Sequence, residues 1–153
     1  MEKTNMTSVY TVAGFILQTG KANDKEGGCD LITNMKMQKL VYYCQGFYLA
    51  LYDTPLFAEP LEAWEHGPVC PPLYHELKAH GANPLPYNGD DFYETLNKQE
   101  VELILEIYGV YGQFAAWRLR EMTHQAPPWR DTPFHQVIPH DLMNTYFKTQ
   151  LIA

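Results

Sequence analysis

The chain of 153 residues is the size of one domain and is long enough to bury about two-thirds of the surface that the unfolded polypeptide exposes. Its 11 Lys and Arg against 18 Asp and Glu give a net charge of -7 without a basic cluster, which disfavours binding to the phosphates of nucleic acid. The sequence is 46% hydrophobic, but its longest apolar run, Phe47 to Tyr52, is far shorter than a membrane span, so we expect a globular protein without membrane contact.

A first amphipathic helix is predicted near the N-terminus. Thr7 and Ser8 are candidate N-caps, and Gly20 is the predicted end. The polar residues 21–32 contain Gly27–Gly28 and are predicted to form a loop. The apolar residues at the spacing i, i+3, i+4 and i+7 are Val9, Val12, Ala13 and Ile16.

The second predicted helix has the clearest periodicity in the chain. Thr33 is its expected N-cap, and residues 53–55 end it, because proline disfavours helical backbone in the residue before it. Its apolar face comprises Met37, Leu40, Val41, Cys44, Tyr48 and Leu51. Its other side, expected to be solvated and to leave a tyrosine free to meet a partner, comprises Lys36, Lys39, Tyr43 and Gln45.

The middle of the chain changes to an alternation with period two. Leu61 and Ala63 share one side and Glu62 and Trp64 the other, which predicts a short strand that stops in a turn at Gly67–Pro68.

A brief helix is expected to follow this strand. It should begin at Pro71–Pro72, end at Gly81 and be followed by a loop over residues 83–91.

Later helices have well-marked starts. Asn97 and Glu100 have the spacing of a capping box, with Leu96 and Val101 as its hydrophobic staple. The predicted buried faces, separated by Gly109 and Gly112, comprise Val101, Ile104, Leu105 and Tyr108, then Phe114, Ala115, Leu119 and Met122. This pattern indicates either one kinked helix or two successive helices.

In the C-terminal region, prolines are predicted to mark the end of the preceding helix and the start of a last one. Pro127–Pro128 should stop the preceding helix, and Pro139 should open a last one. Its apolar side comprises Leu142, Met143, Tyr146 and Phe147. Residues 1–153 are therefore expected to form a mainly α, compact single-domain bundle of five or six helices with a minor short β element.

The cysteines do not indicate a disulfide framework. Cys29, Cys44 and Cys70 leave one thiol over in any pairing, and no Cys-x-x-Cys occurs. The polar residues 1–5 are unlike a signal peptide, so we expect a cytoplasmic protein with reduced thiols.

The titratable residues show no strong catalytic or metal-binding pattern. The densest group, His66, Cys70, His75 and His80, lacks the paired ligand spacing of zinc sites. The carboxylates on the fourth predicted helix lack a basic partner, no phosphate-binding glycine loop occurs, and the only serine is Ser8. We expect no cofactor, no metal and no catalytic residue.

Two clusters combine turn residues with tryptophan. Residues 63–69, with Tyr74 shortly after them, and residues 123–130 each hold Gly or Pro, an indole and a histidine. The indoles of Trp64 and Trp129 could anchor loops on the core, or their neighbours could form a binding surface, because Trp, Tyr and Arg dominate interface hot spots.

Four blocks of the sequence resemble the Panacea domain, the family that includes SocA-like antitoxins and phage GepA-like proteins. In chain order the blocks are TNMKMQKLVYYCQG at 33–46, AWEHGPVCPPLY at 63–74, LREMTHQAPPW at 119–129 and IPHDLMNTYF at 138–147. The chain departs from the family pattern at Met37, where leucine is usual, and at Ala126, where an acid is usual.

The resemblance implies an antitoxin that neutralises a toxin, encoded by an adjacent gene, through direct protein binding and without catalysis. A net charge of -7 would attract a basic toxin. The residues that we expect to face the partner are Lys36, Lys39, Tyr43, His66, Tyr74, His124 and Trp129.

Two alternatives stay open. A SocA-like member of the family acts as a proteolytic adaptor that presents its toxin to an ATP-dependent protease, and the apolar residues 151–153 are a candidate for such engagement. The other alternative is an enzyme that uses His66, Cys70 and His75.

Overall fold

The structure is a computed structural model that describes residues 6–23 and 32–151. The predictions for residues 1–5, Gly27–Gly28, Cys29 and residues 152–153 lie outside the described residues. The described ranges contain seven α-helices and one two-stranded sheet, which confirms the mainly α class with a minor β element.

Helix α2, Asn34–Tyr52, is the centre of the fold, and 15 of its 19 residues are buried. Thr33 caps it by accepting a hydrogen bond from the Lys36 N–H, and Asp53 ends it in the left-handed region at φ 56°. Both predicted ends are therefore confirmed.

The predicted solvated side of α2 is wrong. Lys36, Lys39, Tyr43 and Gln45 are all buried, whereas Leu51, predicted to be buried, is 47% exposed. The reason is that α2 has neighbours all around it: helices α1, α3, α4, α5 and α7 and strand β2, whose bounds follow. Amphipathic periodicity predicts a helix with one solvent-exposed face, and it cannot identify a helix that other elements surround on all sides.

Helices α1, Val9–Asn23, and α4, Lys98–Tyr111, pack against each other and against α2. The Ser8 Oγ accepts a hydrogen bond from the Thr11 N–H at 3.1 Å, as expected for a cap, but α1 continues past the predicted end at Gly20. Its predicted apolar face is buried throughout.

The capping box of α4 is confirmed. The Asn97 Oδ1 accepts from the Glu100 N–H, and the Glu100 carboxylate accepts from the Asn97 N–H, both at 2.9 Å. Leu105 is wrongly predicted to be buried: it is 43% exposed, and Leu103 and Ile107 face the core in its place.

A short antiparallel hairpin follows α2. Strands β1, Glu62–Trp64, and β2, Gly67–Val69, pair across a turn formed by Glu65 and His66. The prediction of a turn at Gly67–Pro68 is therefore wrong: the turn lies two residues earlier, and Gly67 and Pro68 belong to the second strand. The chain then enters α3, Pro71–Leu77, and a 3₁₀ turn, Lys78–His80, before Gly81.

The last part of the chain forms three short helices: α5, Ala116–His124; α6, Pro127–Arg130; and α7, His140–Lys148. Residues 112–115 separate α4 from α5, so the alternative of two successive helices is correct and that of one kinked helix is wrong. Phe114 and Ala115 lie in this connection and not in α5.

The two proline positions have different outcomes. Pro127–Pro128 open α6, although they were predicted only to stop the preceding helix. Pro139 is the N-cap of α7, as expected, and Met143 and Phe147 of α7 are fully buried, while Leu142 and Tyr146 are half-buried.

Gly46 allows α7 to approach α2 closely. A Cβ added at Gly46 would lie 2.1 Å from Cε2 of Phe147, whose ring also packs edge-on against Tyr42 and Phe47. Because the ring is enclosed by other aromatic rings, it has little space into which to retreat.

Gly46→Ala is therefore expected to destabilise the chain by about 1–3 kcal/mol through overpacking. Gly109→Ala is the matched control, because Gly109 is also helical but open space surrounds the position of its Cβ. The free energy of unfolding of that variant should rise by about 0.5–1 kcal/mol, because alanine has a higher helix propensity than glycine. Urea unfolding measures both effects, and equal responses of the two variants would contradict this account of the α2–α7 contact.

Candidate functional site

A cleft of about 440 Å³ opens between the first turns of α2, the hairpin and α3. Asn34, Met35 and Gln38 of α2 lie on one side of it, and Trp64 and Tyr74 lie on the other. The cleft has the size of a pocket that holds two or three side chains or a small ligand.

Side chains of α2 fix the walls of this cleft. The Gln38 Oε1 accepts a hydrogen bond from the Cys70 N–H at 2.9 Å, and the Gln38 amide donates to Asn34 Oδ1 at 2.8 Å. The Asn34 amide donates to the carbonyl of Tyr74 at 3.4 Å. One helix therefore holds both the end of the hairpin and the start of α3, and the cleft is formed without a partner.

Two indoles connect the hairpin to α6. The Trp129 Nε1 donates to the carbonyl of Trp64 at 2.7 Å, and the Trp64 Nε1 donates to Glu62 Oε1 at 2.9 Å. Trp64 also meets Tyr74 edge-on at 5.1 Å between ring centroids, and His124 stacks on Trp129 at 3.9 Å. These contacts support the interpretation of both indoles as anchors, with one side of Trp64 left to line the cleft.

Lys39 lines the cleft from inside the protein and is only 1% exposed. Its Nζ donates a hydrogen bond to the carbonyl of Pro68 at 3.2 Å. Burial, followed by the positive charge of Arg120, lowers the pKa of Lys39 to about 7. The amine is therefore divided between its neutral and charged forms at neutral pH.

Gly67 gives the Lys39 side chain the space that it occupies. Gly67 has φ +110°, and a Cβ there would lie 2.8 Å from Lys39 Cε and 2.9 Å from Thr123 Oγ1. Any larger residue at this position would meet both backbone strain and these two side chains.

The groups near Lys39 are mainly basic. Burial, then the charges of Arg120, Lys39 and His66, lower the pKa of His124. The carboxylate of Glu65 at the cleft contacts His135 at 3.0 Å, and this contact lowers the pKa of Glu65.

The structure brings together only some of the residues predicted to face a partner. Lys39, His66 and Tyr74 meet at the cleft, with His66 exposed and Tyr74 half-buried. His124 and Trp129 stack on each other behind the hairpin and are half-buried.

Lys36 and Tyr43 lie elsewhere and inside the protein. The Lys36 Nζ donates to the carbonyl of Gly112 at 2.7 Å. Tyr43 stacks on Tyr111 at 4.0 Å. Because both side chains are buried in the isolated chain, they do not supply an open surface, and partner contact by any of the seven residues remains a prediction.

The residues of the enzyme alternative show no catalytic arrangement. Cys70 is buried, and burial raises the pKa of its thiol to about 11, so little of the nucleophilic thiolate is present at neutral pH. Within residues 6–23 and 32–151, no three His, Cys, Asp or Glu side chains come together in a metal-binding group.

Sequence reasoning missed the roles of Asn34 and Gln38 in the walls of the cleft. The available signal was the number of polar residues on α2 that break its apolar pattern without forming charge pairs. Such residues bond to backbone groups of other segments, which periodicity along one helix does not reveal.

The structure is a small helical domain built around one enclosed helix, with a cleft beside the first turns of that helix. Residues 37–130 match the family described as "Antitoxin SocA-like, Panacea domain". Because this match covers more than half of the chain, the chain belongs to that family, and the resemblance seen in the four blocks is confirmed.

A curated relative is Antitoxin SocA of Caulobacter vibrioides (strain NA1000 / CB15N), to which the chain is 39% identical over 59 residues. This segment covers 38% of the chain and 31% of the relative. No solved structure matches the chain. None of the helices in the described ranges has both the length and the apolar character needed to cross a membrane.

The unusual state of Lys39 leads to a prediction about stability. Lys39→Met should stabilise the isolated chain near neutral pH, because methionine fills similar space without a buried charge. The pKa of Lys39 is about 7 in the folded chain against an ordinary 10.5, so between these values the unfolded chain binds more protons and wild-type stability rises with pH.

The advantage of Lys39→Met should therefore shrink by up to about 1.4 kcal/mol per pH unit between about pH 7.5 and 9.5. Urea unfolding of both proteins across this range measures the difference, and groups common to both proteins cancel. The exposed cleft residue Lys78, changed to Met, is the control and should show no such trend. A constant difference between wild type and Lys39→Met would contradict the buried state of the amine.

Proposed function

We propose that this chain is an antitoxin that neutralises a protein toxin, encoded by an adjacent gene, by binding it directly. Membership of the SocA-like Panacea family supports an antitoxin role. The observation that carries the binding step is the cleft, most of whose lining lies within the segment matched to the family and which is held in place by hydrogen bonds from α2. A binding surface that is already formed costs little ordering on association.

The rim of the cleft and the hairpin turn are the proposed contact surface. Tyr74 and Trp64 are rigid aromatic groups that can anchor a partner side chain, and His66 is exposed beside them. Met35 and Trp117 add apolar surface nearby: Met35 lines the cleft, and Trp117 follows the cleft residue Ala116. This surface replaces the face of α2 that was first expected to meet a partner.

The proteolytic adaptor remains an untested prediction. The adaptor alternative rests on the apolar residues 151–153. The structure describes Leu151, and residues 152–153 lie outside the described part of the chain. The toxin's half-life in cells with and without this chain separates the two functions, because direct neutralisation requires no change in half-life.

Co-expression with the product of the adjacent gene tests the proposed function. We expect the toxin to stop growth when expressed alone, growth to recover when this chain is present, and the two proteins to elute together on size-exclusion chromatography. Unchanged toxicity together with separate elution would overturn the proposal.

Tyr74→Ala is expected to weaken toxin binding about tenfold, because it removes an aromatic group from the rim of the cleft. Isothermal titration calorimetry measures the affinity. Tyr93→Ala is the control, since Tyr93 is an exposed tyrosine that does not line the cleft. Thermal unfolding verifies that both variants fold, and an equal loss of affinity in both would exclude the cleft rim as the contact surface.

A further inference from the structure

Lys39 is a buried amine without a counter-charge in the described part of the chain. It makes a single hydrogen bond within the described part of the chain, to the carbonyl of Pro68, and no described carboxylate lies within 4 Å of its Nζ. An ammonium group without a counter-charge is unfavourable in a protein interior, whereas an apolar side chain of similar length would pack there without this cost.

Arg120 adds positive charge beside Lys39, and polar groups near it lack partners. The Nε of Arg120 and the Nε2 of His124 are buried and have no hydrogen-bond partner in the described part of the chain. The titratable groups around the amine and its cleft are Arg120 and His124 of α5, Glu65 and His66 of the hairpin turn, Tyr74 of α3, and Lys78. The one carboxylate among them, Glu65, is already paired with His135.

We propose that the cleft receives an acidic segment of the partner protein, with a carboxylate seated beside Lys39 and an adjacent apolar side chain packed on Trp64 and Tyr74. This inference rests on the proposed function and adds the chemistry of the partner to it. The buried, unpaired amine supplies the complementary charge, and the aromatic wall supplies apolar contact next to it.

The charge of the cleft is opposite to that of the chain, whose net charge is -7. A generally acidic protein repels acidic partners at long range, so an acidic segment is selected only if it also fits the cleft. A partner that is basic overall and carries one acidic segment meets both requirements: its net charge is attracted to the acidic chain at long range, and its acidic segment is attracted to the cleft at short range.

Binding of a carboxylate should draw a proton onto Lys39. The pKa of this amine is about 7 in the free chain, and a neighbouring negative charge raises it. The affinity for the acidic segment should therefore fall by up to about tenfold per pH unit above pH 7, until the pKa of the bound state is reached. The comparison with a variant that lacks the amine isolates the contribution of Lys39.

The test uses three probes on the full chain: acetyl-Leu-Glu-Phe-amide, its Gln counterpart and sodium acetate. At about pH 6.5 we expect the Glu peptide to bind roughly tenfold more tightly than either the Gln peptide or acetate. At about pH 8, where the free amine is mostly neutral, calorimetry in two buffers should detect proton uptake on binding of the Glu peptide. In Lys39→Met the preference for Glu and the Lys39-dependent proton uptake should be lost, whereas Lys98→Met, at an exposed lysine that does not line the cleft, should retain both.

Three results would overturn the inference. The first is equal binding of the Glu and Gln peptides, or none at about 10 mM. The second is acetate binding as tight as that of the Glu peptide, which would make the site one for small anions. The third is an unchanged Glu preference in Lys39→Met, whose folding is verified by circular dichroism and thermal unfolding.

Co-expression separates failure of this inference from failure of the proposed function. If the chain neutralises the toxin but the Glu preference is absent, only the acidic-segment inference fails. If the Glu preference depends on Lys39 but neutralisation is absent, the cleft does bind a carboxylate, but the proposal that the toxin supplies this carboxylate is wrong.

Discussion

The enclosure of α2 is the constraint on which the rest of the structure depends. An unpaired polar group in the interior is costly, so the polar side chains of an enclosed helix need hydrogen-bond partners from other segments. Of those on α2, the Tyr42 hydroxyl has no partner in the described part of the chain. Gln45 meets this requirement by donating to the carbonyl of Phe57 at 2.8 Å and accepting from the Leu56 N–H at 2.7 Å. Gln38 bonds to Cys70 and Lys36 to Gly112 in the same way. Each bond fixes a segment that has little regular structure of its own.

The cleft is a consequence of this arrangement. The hairpin and α3 are short elements with few internal bonds, and they keep their positions because α2 bonds to both of them. Lys39 makes a single described bond, to the carbonyl of Pro68, and this bond leaves its charge without a counter-ion. A rigid apolar wall beside an uncompensated positive charge is suited to binding an acidic group. In this way the enclosure of α2 accounts for the proposed binding role of the cleft.

Much of the fold could be predicted because local chemistry determines helix ends. Thr33, the Asn97–Glu100 box and Pro139 act through their immediate neighbours, and the structure places caps at all three positions. The exposure of α2 could not be predicted in this way, because Lys39 and Tyr43 have the composition of a surface and become buried only when distant segments cover them. The cleft was partly predictable: His66 and Tyr74 stood out in the sequence, whereas the contribution of Gln38 depends on a contact with Cys70, 32 positions away.

The pKa of the Lys39 amine tests the central claim most directly. Nuclear magnetic resonance of the Lys39 side chain, labelled with ¹³C and ¹⁵N and assigned by its absence in Lys39→Met, follows this titration in the isolated chain. The account predicts a pKa of about 7, because the amine is buried beside Arg120 without a counter-charge. A value near the ordinary 10.5 would contradict the account, because the amine would then be either solvated, against the enclosure of α2, or paired with an anion, against the uncompensated charge at the cleft.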